Sequence, residues 1–262
     1  MIEAIVGILT FIMGTVFGSF FTLAVHRIPL KQNIIHERSY CPKCNHKLNF
    51  FDLIPVLSYI CLRGKCRYCG EKIRPRYLIL EISSGLFFMF YILSLKLDYF
   101  NIQPGDIVNI IFGIMYISIL AITAGIDLEK NKIEKSIIRF TTIVSVIYML
   151  YLYVLGANMY RYIIYFIIIF SLLVINKLKN NYTLEVVIYI LLIALYIKTE
   201  AALVSIIMTL LAIALENVIN IINKTKTKKM PEIAAIFSIV TLVIIIIQNY
   251  ITVRWEYEKF KI

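Results

Sequence analysis

The chain has 262 residues, of which 60% are hydrophobic and 16% are charged, and its mean hydropathy is +0.83. A water-soluble domain of this length cannot cover so much apolar surface, which excludes an ordinary soluble enzyme or binding domain. The formal net charge of +11 does not indicate a nucleic-acid partner, because lysine and arginine fall in particular loops beside apolar runs. Charge in such loops is first a signal of membrane topology. We therefore expect a membrane protein that is surrounded by the lipid bilayer and binds no nucleic acid.

Eight apolar runs are candidates for membrane-spanning helices. Runs of about 20 residues can cross a bilayer, and these runs are continuous rather than alternating, which favours helices over a barrel. The first run has no basic leader and no small-residue cleavage site, so we expect it to be retained. The sequence therefore predicts an all-α membrane bundle of about eight helices, at about 3–25, 77–95, 107–124, 138–156, 160–176, 184–197, 200–222 and 233–252.

Lysine and arginine are distributed unevenly among the loops. Residues 26–76 hold eleven of them and residues 223–232 hold four lysines, whereas the alternate loops offer Lys96, Arg161 and Lys198. Positive residues stay in the cytoplasm, so the odd-numbered loops are predicted to be cytosolic and both termini to lie outside. The two central loops carry little charge, which leaves open the alternative that one inner span is miscounted.

The first loop contains two CxxC pairs, Cys41–Cys44 and Cys66–Cys69, with the 21 residues 45–65 between them. Each pair lets two thiolates bind one tetrahedral ion, and the second pair completes the site. We therefore predict that these four cysteines hold a structural zinc ion. A small loop gains stability from such a metal, and four protein ligands leave no open position for a substrate.

Two alternatives accompany the zinc prediction. The four cysteines would instead form two disulfides in an oxidising compartment, but the loop is predicted to be cytosolic, where thiols stay reduced. Cys61 has no CxxC partner and lies in the apolar stretch 57–62, so we do not expect it to be a ligand. His46 is expected at the surface rather than as a fifth ligand.

The N-terminal third resembles the type IV prepilin peptidases. The resemblance runs from residue 14 to about residue 86, and the order and spacing of its motifs carry it. The matching segments are Gly14-Thr-Val-Phe-Gly18-Ser19-Phe20, His26-Arg27-Ile28-Pro29, Cys41-Pro-Lys-Cys44, Phe51-Asp52-Leu53-Ile54-Pro55-Val56-Leu57-Ser58-Tyr59, Arg63-Gly64-Lys65-Cys66, Cys69-Gly70, Pro75-Arg76-Tyr77 and Glu81-Ile-Ser-Ser-Gly85.

This resemblance implies an aspartyl protease of the bacterial inner membrane, with about eight helices. Members of the family cut the short basic leader from prepilins or pseudopilins on the cytosolic side, in type IV pilus or type II secretion assembly. Many also methylate the new N-terminal amine with S-adenosylmethionine, an activity associated with the cysteine loop. The expected organisation is a first transmembrane helix at 1–26, a cytosolic zinc-binding loop at 27–76 and a peptidase-like bundle at 77–262.

Aspartyl hydrolysis needs two carboxyl groups close enough to share a proton, at a depth that water reaches. The chain has four aspartates. Asp52 lies in the cysteine loop, and Asp98 and Asp106 fall in a loop predicted to be outside. Asp127 follows the third span at its cytosolic end and resembles the family's first catalytic aspartate. The alternative to a catalytic role is that Asp127 is an ordinary solvated acid at a helix end.

The second catalytic motif of the family, Gly-x-Gly-Asp followed by lysine, has no counterpart here. The corresponding region, 179–187, contains Glu185 as its acid, and we take Glu185 as the candidate second carboxylate. An acid in a first helical turn is also favoured simply by the helix dipole. Thr183 is a second residue that aligns with the lost aspartate, because an alignment without glycines shifts by a few residues.

The sequence thus predicts a prepilin leader peptidase that also methylates its product. One alternative is a non-proteolytic or methyltransferase-only member of the same family. Another is a membrane scaffold or transporter whose zinc loop docks partners, although no inverted repeat is visible and the spans hold few charged residues. The sequence has no glycine-rich nucleotide loop that would locate the S-adenosylmethionine contacts.

Overall fold

The structure is a computed structural model, and it describes residues 1–34, 38–156, 159–179, 182–197, 199–222 and 232–259. The chain divides into two compact units, Met1–Ile102 and Gln103–Ile262. The first unit holds two long helices with the cysteine loop between them. The described residues of the second unit form six helices. The predicted boundaries at residues 26 and 76 instead separate the loop from its two helices, and they stay a prediction.

The first unit is built on a helix pair. Helix α1 spans Ile2–Arg27, the short helix α2 spans Leu57–Cys61, and α3 spans Pro75–Ser94. Helix α3 begins with proline at its first position, where a missing backbone N–H costs nothing. Single-turn 3-10 helices at Ile28–Leu30 and Phe50–Asp52 lie in the connection between α1 and α3.

Glycines bring α1 and α3 into close contact. A methyl group added at Gly14 would lie 2.8 Å from the Cα of Gly85, and one added at Gly18 would lie 2.8 Å from the Cα of Glu81. Real side chains do not approach backbone so closely, so both positions require glycine. Small residues spaced by four let membrane helices pack closely, backbone against backbone. Such packing stabilises a helix pair in a bilayer, where the hydrophobic effect does not drive helices together.

Replacing Gly14 with alanine is expected to destabilise the first unit by about 1–3 kcal/mol, because the added methyl overpacks the α1–α3 contact. Gly7→Ala is the matched control, since a methyl there meets its nearest neighbour, Leu93, at an ordinary 3.6 Å. Thermal unfolding of the two purified variants in the same detergent measures the difference. Equal midpoints for the two variants would contradict the close-packing interpretation.

The second unit contains helices α4 to α9. Several of them pack as neighbours, with α9 against α4 and α8, and α7 against α5 and α6. Buried residues are concentrated on α7, where Ile188, Tyr189 and Ile193 have no exposed surface. The bounds are Pro104–Lys130 for α4, Lys135–Val154 for α5, Tyr160–Lys179 for α6, Tyr182–Ala194 for α7, Thr199–Ile222 for α8 and Ile233–Lys259 for α9.

Hydroxyl groups link these helices inside the second unit. The Tyr116 and Ser145 hydroxyls lie 3.0 Å apart and join α4 to α5. The Tyr189 and Ser238 hydroxyls lie 2.9 Å apart and join α7 to α9. Interhelical hydrogen bonds of this kind each contribute about 0.6 kcal/mol in membrane proteins. The Tyr189–Ser238 bond links α7 to α9 and helps to fix the register between these two helices.

The all-α prediction is confirmed. The long helices of the described residues correspond one for one to the eight predicted runs, and five of them are long and apolar enough to cross a membrane. The apolar stretches of the other three are shorter, at Tyr162–Val174, Leu184–Ala194 and Ala201–Leu215. The chain is a multi-pass membrane protein. Many large apolar side chains of these helices remain exposed, as lipid-facing residues do.

Candidate functional site

The four predicted cysteine ligands come together in the loop of the first unit. The sulfur atoms of Cys41, Cys44, Cys66 and Cys69 all lie within 4.8 Å of one another, and the Cys41 and Cys69 sulfurs are 3.8 Å apart. A tetrahedral ion bound at about 2.3 Å to four thiolates separates its sulfur ligands by about 3.8 Å. No disulfide joins these cysteines, so the cluster could hold a metal ion.

Two similar turns position the cysteines. In the first, the N–H of Cys41 donates to the carbonyl of His46, and in the second the N–H of Cys66 donates to the carbonyl of Glu71. Each turn closes on a residue with positive φ, Asn45 at 56° and Gly70 at 71°. Asparagine and glycine tolerate that conformation. The short-range sequence therefore builds both halves of the cluster in the same way.

Backbone N–H groups in the first turn also favour a thiolate. Burial raises the pKa of Cys41, but hydrogen bonds from the N–H groups of Cys44 and Lys43 outweigh burial, and the pKa falls from 9.0 to about 7. The thiolate is the form that binds a metal. The backbone of the first turn thus favours the thiolate form of Cys41.

Asp52 clamps the second cysteine turn. Its carboxylate accepts a hydrogen bond from Arg67 Nε at 2.7 Å and one from the Tyr68 hydroxyl at 3.0 Å. Its side chain is only 3% exposed. Burial raises the pKa of Asp52, but the Asn49 N–H, Arg67 and Tyr68 outweigh it and hold the pKa below its ordinary 3.8. The ionised Asp52 therefore stabilises the folded loop fully above pH 3.8. This contribution is lost only as the pH falls through the lower pKa that Asp52 has in the folded protein.

Cys61 and His46 lie apart from the four ligands. Cys61 is exposed on α2 and does not belong to the cysteine cluster found among the described residues. The imidazole of His46 packs on the ring of Tyr68, with 3.6 Å between ring centroids. The expectation that neither residue is a metal ligand stays a prediction.

A buried acid of α3 ties the loop to the helix pair. The carboxylate Oε2 of Glu81 accepts a hydrogen bond from the N–H of Val56 at 2.7 Å. Val56 has φ 62° and ψ −53°, and the Leu57 N–H donates to the Pro55 carbonyl at 2.6 Å, which together define a γ-turn of the strained kind. A β-branched residue rarely adopts positive φ. Glu81 therefore holds the loop in a conformation that the local sequence alone does not favour.

Asp127 is the acid of a buried polar cluster in the second unit, which it forms with the Tyr182 hydroxyl and the Ala235 N–H. It lies in the last turn of α4 and is 0% exposed. One carboxylate oxygen, Oδ1, accepts a hydrogen bond from the Tyr182 hydroxyl at 2.9 Å. The other, Oδ2, accepts one from the backbone N–H of Ala235 at 2.9 Å. The expected alternative of a solvated helix-end acid is wrong, because this carboxylate is buried between three helices.

The two partners of Asp127 come from helix starts. Tyr182 is the first residue of α7, and Ala235 lies in the first turn of α9. The first N–H groups of a helix have no partner within the helix and attract negative charge. Asp127 thus provides, from α4, the acceptor that caps α9. This contact is encoded by no local motif.

Glu185 lies one turn beyond Tyr182 on α7 and is 8% exposed. Neither of the two oxygen contacts of Asp127 involves it. A different acid, Glu232, lies just before α9 and repels Asp127 electrostatically. The side chain of Thr183 lies outside the described residues. Glu185 as the second carboxylate therefore stays a prediction, and Tyr182 is the residue that the sequence reasoning missed.

A family model and several named relatives match this chain. The model of the bacterial peptidase A24 N-terminal domain matches residues 12–95, which run from α1 to the end of α3 and include the cysteine cluster. A prepilin leader peptidase/N-methyltransferase of Klebsiella pneumoniae is 34% identical over 131 residues, covering 48% of this chain and 54% of the relative. This chain is thus similar to the bacterial peptidase A24 N-terminal domain over residues 12–95, and to proteins named prepilin leader peptidase/N-methyltransferase over half of its length or less.

Two further relatives carry the same name. The Myxococcus xanthus protein is 44% identical over 78 residues, covering 30% of this chain and 23% of its own length. The Bacillus subtilis protein is 34% identical over 130 residues, covering 50% of this chain and 49% of its own length. The chain thus spans about half or less of these prepilin peptidases. No solved structure matches it.

Proposed function

We propose that this chain is a prepilin leader peptidase and N-methyltransferase of the bacterial inner membrane, acting on prepilins or pseudopilins in pilus or type II secretion assembly. The observation that supports the peptidase is Asp127, an aspartate buried at the end of a long apolar helix between two helix starts. The second activity is supported by the name of the relatives, prepilin leader peptidase/N-methyltransferase, and by the match of residues 12–95 to the A24 N-terminal domain.

The cysteine cluster holds zinc in this proposal. The four thiolates match the sulfur separation of a tetrahedral site, and sulfur ligands in that geometry favour zinc over harder ions. The ion contributes stability rather than chemistry, because four protein ligands leave no position for substrate. Cys41, Cys44, Cys66 and Cys69 then hold the loop at a fixed height above α1 and α3.

The proposed orientation places the cysteine loop and Asp127 on the cytosolic side and both termini outside. The eleven basic residues between 26 and 76 support this orientation. Labelling of cysteines introduced at residues 100 and 130 with a membrane-impermeant reagent on intact cells tests it, in a Cys61→Ser background that keeps the four clustered cysteines. We expect labelling from outside at 100 and protection at 130. External labelling at 130 would place Asp127 away from the substrate's leader and would contradict the peptidase proposal.

The catalytic roles follow from the groups available. An ionised Asp127 activates the water that attacks the scissile peptide carbonyl, and a second group donates a proton to the leaving amine. Glu185 is the second carboxylate that the sequence proposes. For methyl transfer, S-adenosylmethionine supplies an activated methyl group to the new N-terminal amine.

The test uses the purified full-length chain in lipid nanodiscs with a native prepilin and S-adenosylmethionine. Mass spectrometry follows two products separately: the peptide shortened by its leader and the peptide whose new N-terminus carries one extra methyl group. We expect both. A shortened but unmethylated product would remove the methyltransferase part of the proposal. Methylation of a supplied processed peptide without cleavage would remove the peptidase part, and neither product would contradict both.

A further inference from the structure

The partner of Asp127 across the helix interface is a phenol rather than a carboxyl group. The Tyr182 hydroxyl lies 2.9 Å from Asp127 Oδ1, although the two residues are 55 positions apart in the chain. Tyr182 begins α7, and Asp127 lies in the last turn of α4. A two-residue proton-sharing site needs this distance between its two members.

The geometry also limits which proton moves. The Ala235 N–H can only donate, so it occupies Oδ2 of Asp127 whichever group is charged. The shared proton therefore lies between the phenol and Oδ1. A carboxylate has about four acceptor positions, so Asp127 keeps capacity for a water molecule beside these two bonds.

A phenol and a carboxyl group are not interchangeable in such a pair. An ordinary phenol has a pKa near about 10, whereas an aspartic acid has one near about 3.9. The carboxyl group therefore serves as the base and the phenol as the acid, and the two roles cannot alternate as they do between two carboxyl groups. The pair accomplishes the same proton transfers with a weaker acid.

We propose that Tyr182 takes the place of the second carboxyl group and acts as the proton donor in leader cleavage. The inference rests on the proposed peptidase function. Water adds to the scissile carbonyl as Asp127 accepts its proton, so a carbon–oxygen bond forms. The carbon–nitrogen bond then breaks as the Tyr182 hydroxyl gives its proton to the leaving nitrogen. The proton on Asp127 returns to the phenolate along their hydrogen bond, which restores both groups without any other reactant.

Glu185 is the competing candidate for the proton donor, and it lies on the same helix, α7, as Tyr182. It lies three residues after Tyr182, so it is on the same side of the helix and about 4.5 Å further along the axis. Both side chains are thus directed to the same region, and a substitution at each position separates their roles. Glu185→Gln keeps the size of the side chain and removes its acid.

The experiment compares wild type, Tyr182→Phe, Tyr182→Asp and Glu185→Gln in nanodiscs, with a native prepilin. Cleavage is measured as kcat and KM, and methylation is measured separately on a processed peptide. We expect Tyr182→Phe to lower kcat by about 100-fold or more with little change in KM, because a positioned proton donor contributes about 10²–10⁴-fold. Tyr182→Asp is expected to cleave no faster than Tyr182→Phe, because the shorter aspartate side chain does not reach the position of the phenol hydroxyl beside Asp127. Glu185→Gln distinguishes the two candidates, because the role of Tyr182 requires cleavage to persist without the Glu185 carboxyl group.

The methylation rate and the thermal midpoint distinguish a folding defect from a loss of catalysis. Tyr182→Phe lacks only a hydroxyl, and an unchanged methylation rate and thermal midpoint would show that its loss of cleavage is not a folding defect. Wild-type kcat in Tyr182→Phe, or loss of cleavage in Glu185→Gln alone, would overturn the role of Tyr182 while leaving the peptidase proposal intact. Methylation by a wild type that never cleaves would also overturn it. Neither product from any variant would instead reject the proposed function itself.

Discussion

Replacing Cys66 with serine is expected to remove the bound metal from the cysteine loop. Wild-type protein should contain about one zinc ion per chain, and Cys66→Ser much less than half of that, measured by elemental analysis after purification. The reason is that serine at neutral pH offers no thiolate, and Cys66 is a buried member of the four-sulfur cluster. Structural zinc sites contribute about 10–16 kcal/mol of binding free energy, much of which is folding free energy of the loop.

Cys61→Ser is the matched control for this experiment. Cys61 belongs to the same loop but is exposed and lies outside the cluster, so its variant should keep the wild-type metal content. Limited proteolysis of the loop reports its folding independently, and we expect faster cleavage between the two CxxC pairs in Cys66→Ser alone. Full metal content in a Cys44→Ser, Cys66→Ser double variant would show that the ion is bound elsewhere.

Replacing Asp127 with asparagine is expected to reduce prepilin cleavage by about 10²–10⁴-fold, because the amide cannot accept a proton from water. A second effect accompanies the first. The carboxylate accepts from both Tyr182 and the Ala235 N–H, and an amide can accept through only one of its two terminal atoms. The amide oxygen can keep the Ala235 N–H, but the NH2 group then donates to the Tyr182 oxygen, so the direction of the hydrogen bond to Tyr182 reverses.

Asp106→Asn is the matched control, since it makes the same substitution at the other end of α4. Asp106 accepts a hydrogen bond from the Gln103 N–H at 3.0 Å in an exposed cap. We expect that variant to cleave normally and to lose no more than about 1 kcal/mol of stability. Methylation of an already processed peptide should continue in Asp127→Asn. Wild-type cleavage by Asp127→Asn would show that Asp127 is only the cap of α9.

The strained turn at Val56 is part of a sequence motif, but its conformation depends on a contact outside that motif. The segment Phe51–Tyr59 is part of the sequence resemblance, and so is Glu81, but their contact is not visible in either motif. The Glu81 carboxylate reaches the Val56 N–H across 25 residues of chain. A positive φ at a β-branched residue is unfavourable in itself, so only a tertiary hydrogen bond explains why it persists.

By itself, the sequence predicted the helices, the cluster of four cysteines and the resemblance to the prepilin peptidases. These features depend on short-range patterns: apolar runs long enough for a bilayer, CxxC pairs that bind one ion, and motifs in a fixed order. The tertiary structure alone decided what surrounds Asp127. Its partners are Tyr182, 55 residues away, and the N–H of Ala235, 108 residues away. No local periodicity relates positions so distant, because the packing of α4, α7 and α9 brings two helix starts to one carboxylate. A backbone N–H, which every residue except proline carries, leaves no mark in a sequence at all.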